Sequence, residues 1–112
     1  MTLIDAISIN DLQQVKECIE NGADIHAHDE YALKYAAMYG YLNIVKYLVE
    51  HGADIYALDN YTLKWATYFE HFDVIKYLIS LYNKEELRKY FSQFNFFYIK
   101  YLILERLYDK PQ

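Results

Sequence analysis

Four histidines and one cysteine are the side chains on which metal or nucleophilic chemistry could rest in this chain: His26, His28, His51, His71 and Cys18. His26 and His28 stand two apart, a spacing that puts both on one face of an extended segment. Two imidazoles there would supply two of the four ligands a zinc ion takes. No third ligand follows at a zinc-site spacing, so surface or turn roles are expected for both. Cys18 would need an activating base to serve as a nucleophile. Its place in the internal repeat, opposite Leu48 and Leu78, predicts a small buried core residue instead. Glu85 and Glu86 are adjacent carboxylates but read as the solvated start of a helix. Neither a Gly-x-x-x-x-Gly-Lys-Ser/Thr phosphate loop nor a Gly-x-Gly-x-x-Gly run occurs. No enzymatic activity, metal or cofactor is expected.

With the chemistry set aside, composition bounds the fold. The 112 residues suit a single domain. Hydrophobic residues make up 54%, too many for bulk disorder, and 3 Gly with 1 Pro are too few for a turn-rich β fold. One cysteine allows no internal disulfide and suits a reducing compartment, so an intracellular, cytoplasmic location is expected. The net charge of −5 argues against a nucleic-acid partner, since phosphate binding draws on Lys and Arg. Apolar stretches are broken by Lys or Glu before the roughly 20 residues of a membrane span, and no signal-peptide core forms after Met1, so no membrane partner is expected. The 14 Tyr, 6 Phe and 1 Trp have two readings that stay open: an AT-rich genome, or a need for aromatic surface.

A repeat of thirty residues positions all these groups. Sliding residues 1–30 onto 31–60 gives 12 identities, among them Leu3/Leu33, Ala6/Ala36, Val15/Val45 and the run Gly22-Ala23-Asp24-Ile25 on Gly52-Ala53-Asp54-Ile55. Residues 31–50 slide onto 61–80 through Tyr31/Tyr61, Leu33/Leu63, Lys34/Lys64, Ala36/Ala66 and Lys46-Tyr47-Leu48 on Lys76-Tyr77-Leu78. Each copy reads as two short helices. Leu33, Ala36 and Ala37 share one helical face over 32–39, and Leu42, Val45, Leu48 and Val49 share another over 42–50. Gly40 and Gly52 are left-handed helix stops. Asn10 replaces the first of these in copy one and tolerates that conformation. Glu70 replaces it in copy three, at a cost on the order of 1 kcal/mol. An extended link is expected from Ala53 to about Asn60. Helices this short are marginal alone and need stacked neighbours.

The run from Leu33 to Ile55, with its Ala pair, glycine turn, Ile-Val-Lys-x-Leu helix and x-Gly-Ala-Asp-hydrophobic ending, resembles an ankyrin repeat, and the likeness covers residues 1–80. The period is 30 rather than 33, and Tyr-Ala-Leu-Lys and Tyr-Thr-Leu-Lys stand where that family has Thr-Pro-Leu-His. The resemblance therefore implies an all-α ankyrin-type solenoid with inter-repeat fingers shortened or absent. Asp59 to Ala66 is similar to ankyrin proteins encoded by large DNA viruses of amoebae, which implies a viral origin and, with it, a host-cytoplasm location and a host protein partner.

The expected organisation is a capping repeat at 1–30, repeats at 31–60 and 61–82, and a helical C-terminal cap at 83–112. There Asn83 and Glu86 suggest a capping box, Ser92-Gln93 a break, and Phe94 to Tyr108 an apolar helix with Phe97, Tyr101, Leu104 and Tyr108 on one side. That helix is read either as a cap that buries this surface or as a seam between copies. A monomer is expected, with a homodimer through 94–108 as the alternative.

By resemblance, the concave face comprises Lys34, Met38 and Tyr39 in copy two and Lys64, Tyr68 and Phe69 in copy three. Ser8 and Ile9 stand there in copy one, and His28, Glu30, Leu58 and Asn60 in the links, with Tyr31 and Tyr61 beside them. Stacking aligns these aromatics into a band suited to a modest protein interface of about 600–800 Å² per partner. Lys16, Lys46 and Lys76 recur once per copy but alternate with acidic residues and read as a solvated face.

Overall fold

The computed structural model describes residues 1–91 and 97–108, and every regular element among them is an α-helix. The chain divides into two compact units, Met1–Val74 and Ile75–Gln112.

In the first unit, α1 (Leu3–Ser8) packs on α2 (Leu12–Glu20), and α3 (Ala27–Met38) on α4 (Leu42–Glu50). α3 lies between α1 and α5 (Ala57–Tyr68), and α2 lies beside α4. Thr2 starts α1 with a full capping box: its hydroxyl accepts from Asp5 N at 3.1 Å, and its own N–H donates to the Asp5 carboxylate at 3.2 Å. The N–H bond from Thr2 holds the Asp5 carboxyl below its ordinary pKa. Asp11 caps α2 by accepting from Gln14 N. Ala6, Leu33, Ala36, Ala37, Leu63 and Ala66 have at most 1% of their surface exposed. The alanines have no long side chains to hold the neighbouring helices apart. Ile7, Val15, Ile44, Val45 and Leu48 complete the seam, each burial contributing about 1.5–3 kcal/mol. Ile44 takes the buried place expected of Leu42, and Leu42 and Val49 are half-buried. In copy two the inward arc is therefore centred on 44, 45 and 48.

The three interhelix turns are built alike. Asn10, Gly40 and Glu70 have φ of 55°, 73° and 59°. After each, the next N–H reaches back to an alanine carbonyl: Asp11 to Ala6, Tyr41 to Ala36 and His71 to Ala66, at 2.9–3.0 Å. This six-to-one bond belongs to a Schellman cap.

The inter-repeat links depart from expectation. They are not extended. Asp24 and Asp54 each accept the N–H two residues on, from His26 and Tyr56, at 2.9 Å. Each link then passes through three successive left-handed residues, His28-Asp29-Glu30 and Leu58-Asp59-Asn60, with φ between 52° and 66°. They form a kink at the start of the spans given for α3 and α5, and the right-handed helix of each follows from Tyr31 and Tyr61. A repeat of this length has no chain to spare for a hairpin, and one left-handed turn delivers it to the next helix. The third residue of each run, Glu30 or Asn60, turns inward and is buried, 6% and 1% exposed.

Cys18 is half-buried rather than in the core, with Sγ 3.5 Å from the Met1 carbonyl oxygen. The first repeat is the end of the unit's stack, so the position that Leu48 buries in copy two is only partly covered in copy one.

The second unit holds most of α6 (Phe72–Leu81), then α7 (Lys84–Tyr90) and α8 (Phe97–Leu107), with α7 packed on α8. Asn83 caps α7 by accepting from Glu86 N at 2.8 Å. The expected break at Ser92-Gln93 and the helix start at Phe94 lie outside the described residues. α8 buries Ile99, Leu102 and Ile103. Tyr101, Leu104 and Tyr108, expected together on one apolar side, are exposed. The aliphatic side chains sit inward and the phenols reach water. Arg106 donates to the carbonyls of Ser80 and Tyr82 at 3.4 Å, satisfying acceptors left open where α6 ends.

Candidate functional site: an aromatic face on two neighbouring helices

α3 and α5 carry aromatic rings at every fourth residue, and the 30-residue period puts them in register. Tyr31, Tyr35 and Tyr39 answer to Tyr61, Trp65 and Phe69. Residues four apart on a helix are neighbours, so each set forms a row. Ring centroids are 5.8 Å apart for Tyr31–Tyr35 and 4.7 Å for Tyr35–Tyr39, and Tyr41 continues the row at 5.8 Å. On α5 the spacings are 5.6 Å for Tyr61–Trp65 and 5.5 Å for Trp65–Phe69, with Tyr68 set edge-on to Phe69 at 5.0 Å. Aromatic pairs at such distances are each worth about 0.5–1.5 kcal/mol beyond area burial, so the rows hold their own shape without a core around them.

Two grooves open on this face. One, of about 510 Å³, is lined by Tyr31, Lys34, Tyr35, Met38, Leu58, Tyr61 and Trp65. The other, of about 460 Å³, is lined by Tyr61, Lys64, Trp65, Tyr68 and Phe69. They share Tyr61 and Trp65. Lys34 Nζ lies 5.4 Å from the Tyr61 ring centre and 6.0 Å from that of Tyr31, bridging the two helices by cation–π contact. Lys64 Nζ is 3.2 Å from Asp59 in an exposed ion pair, of small energetic worth. Burial, and then its hydrogen bond with Tyr39, push the Tyr35 phenol above its ordinary pKa. It remains a neutral hydroxyl at physiological pH.

The structure brings together Lys34, Met38, Lys64, Tyr68 and Phe69 around these grooves, with Tyr31, Tyr61 and Leu58; Tyr39 extends the α3 row at 48% exposure. Glu30 and Asn60 do not belong to the surface: the left-handed run carries both inside. His28 is exposed but lines neither groove, and neither do Ser8 and Ile9. Tyr35 and Trp65 escaped the residue reading, although the spacing 31/35/39 and 61/65/69 carried the signal.

Three of the four histidines, His26, His51 and His71, have structural partners. His26 Nδ1 is hydrogen-bonded to the carboxylate of buried Glu30, and that bond, with the carboxylate's charge, raises the imidazole pKa. His71 Nε2 donates to the Met38 carbonyl at 2.8 Å, tying copy three to copy two. The same ring fills the space beside Gly40, where an added Cβ would lie 2.4 Å from His71 Nδ1. The φ at Gly40 favours glycine, as it does at Asn10 and Glu70, and the His71 ring leaves no room for a side chain there. His51 Nδ1 donates to the Tyr47 carbonyl at 2.8 Å. Among the described residues, no group of three or more His, Cys, Asp or Glu could hold a metal ion, and no helix is long and apolar enough to cross a membrane.

A family model described as Ankyrin repeats (3 copies) matches residues 3–89. The chain belongs to the ankyrin-repeat family. Ankyrin repeats generally mediate protein–protein interactions and are typically non-enzymatic. No curated protein and no solved structure matches the chain. In this ankyrin chain the paired first helices α3 and α5 supply the aromatic face, and the left-handed links stand where a longer period would allow fingers.

Proposed function

We propose that this chain is a non-catalytic recognition module that binds a partner protein through the aromatic face of α3 and α5. The observation that carries the reading is the pair of adjoining grooves sharing Tyr61 and Trp65. Monomeric proteins seldom leave contiguous aromatic surface open without a use for it. Tyr, Trp and Met are enriched at interface centres because they bury large areas at low conformational cost. The working set is Lys34, Met38, Tyr39, Lys64, Tyr68 and Phe69 together with Tyr31 and Tyr61, with Tyr35 and Trp65 added and His28, Glu30 and Asn60 removed. A cytoplasmic location fits the free Cys18 thiol. The partner is a host protein if the likeness to viral ankyrin proteins reflects origin.

The test is capture by immobilised chain against the double variant Tyr39→Glu with Tyr68→Glu, both exposed positions. The wild type is expected to retain a partner that the variant loses, with unchanged far-UV circular dichroism. Equal retention by both would remove the face from the account.

A second reading, self-association through residues 94–108, draws support from exposed Tyr101, Leu104 and Tyr108 on α8. Light scattering at micromolar concentration tests it: a dimer that Leu104→Glu dissolves would favour it, and a monomer would reject it.

A further inference from the structure

We infer that the aromatic grooves accept a proline-rich segment in an extended, polyproline II conformation that carries acidic residues. This inference rests on the protein-recognition reading above and names the chemistry of the partner.

The grooves' polar groups are unbalanced. Lys34 and Lys64 can only donate hydrogen bonds, as can the Trp65 indole N–H, while the tyrosine hydroxyls donate and accept. No carboxylate lines either groove, the one acceptor-only side chain there is the weakly accepting Met38 thioether, and the nearest carboxylate, Asp59, is held by Lys64 at 3.2 Å. An occupant rich in N–H groups would find too few acceptors. An occupant rich in carbonyl and carboxylate oxygens and poor in N–H would be matched. Proline lacks the backbone N–H, and a polyproline II chain leaves its carbonyls free of internal hydrogen bonds.

Shape and charge agree. Pyrrolidine rings pack against aromatic faces, the mode by which proline-rich chains dock in aromatic-lined grooves. The rings other than Tyr31 and Tyr61, Trp65 first among them, would receive them here. All the regular elements described are helices, so a β-strand partner has no sheet edge to extend. An organic cation would also suit an aromatic cage, but Lys34 already holds the ring faces of Tyr31 and Tyr61 and would repel it. Both lining charges are positive although the whole chain is acidic at −5, and because Asp59 pairs with Lys64, the local excess rests mainly on Lys34. That local contrast selects a carboxylate-bearing segment, while the overall negative charge disfavours the many phosphates of a single-stranded nucleic acid.

Trp65 is the one tryptophan of the chain and lines both grooves, so its fluorescence reports occupancy directly. With three residues per turn, the acetylated peptide (Pro-Pro-Glu)3 aligns its carboxylates on one edge and its prolines on the others. Titrated into the full chain, it is expected to change Trp65 emission saturably. The charge-reversed (Pro-Pro-Lys)3 should bind at least about fivefold more weakly, and Lys34→Glu should narrow or invert that ratio. The comparison of the two peptides on wild-type protein stands even if the variant misfolds. No saturable change with (Pro-Pro-Glu)3 up to millimolar concentration overturns the inference, as does equal binding of the two peptides. Tighter binding of oligothymidylate also overturns it, in favour of base stacking. If the peptide fails while partner capture still depends on Tyr39 and Tyr68, the peptide class is wrong and the recognition reading survives. If both fail, the face itself is misassigned.

Discussion

The single residues that matter most are those held in conformations their side chains resist. Gly40 sits at φ 73° with the His71 ring against it. Gly40→Ala must bear the left-handed penalty of roughly 1–2 kcal/mol and displace that ring as well. We expect a loss above 2 kcal/mol in urea denaturation, with the His71–Met38 bond broken. Glu70 holds the equivalent turn at φ 59° in the open. Glu70→Gly should therefore gain about 0.5–1 kcal/mol, the relieved strain less the extra freedom glycine gives the unfolded chain. These positions were readable, because aligning the copies sets Asn10, Gly40 and Glu70 in one column. His26 was not: its bond to Glu30 exists only because a left-handed run turns the carboxylate inward. The folded His26 pKa is raised, so the stability it contributes is complete below its unfolded value, near pH 6.5, and fades as pH rises through the folded value. Wild type should therefore lose more stability between pH 6 and 9 than His26→Gln does. Equal losses in parallel urea titrations would contradict this.

At the scale of elements, apolar spacing was sufficient to place the helices. The faces were read less well where aromatic and aliphatic residues mix. α8 shows the reason: Phe97, Tyr101, Leu104 and Tyr108 have helical spacing, but Ile99, Leu102 and Ile103 are buried and the phenols of Tyr101 and Tyr108 stay in water. Ile103→Ala is expected to cost about 2–5 kcal/mol, whereas Leu104→Ala should stay within about 0.5 kcal/mol. Thermal denaturation of the two variants checks which face is inside. The links were misread as extended because runs of three left-handed non-glycine residues are rare and carry no simple sequence mark beyond Asp and Asn. His28 lies in such a run at φ 53°, is exposed and lines neither groove. His28→Gly should stabilise the chain by about 0.5–1 kcal/mol. A loss of stability would mean that the link is not wound this way.

For the molecule as a whole, the thirty-residue offset already implied paired helices in a stack, since helices of six to twelve residues cannot persist singly. The offset also implied that Lys34 and Lys64, Met38 and Tyr68, and Tyr39 and Phe69 recur on corresponding helices. It did not give the depth of each side chain. Tyr35 and Trp65 stand at positions that a helical wheel places between core and surface, and the packing of α3 against α5 turns them into shared walls. Glu30 and Asn60 were assigned to the surface for the same lack of depth. The account's central claim is that partner contact falls on this aromatic face. Amide NMR of the ¹⁵N-labelled chain, titrated with the captured partner, tests it most directly. The account predicts shift changes concentrated at residues 31–39 and 58–69, with the Trp65 indole signal among them; changes centred on residues 97–108 with that signal unmoved would contradict it.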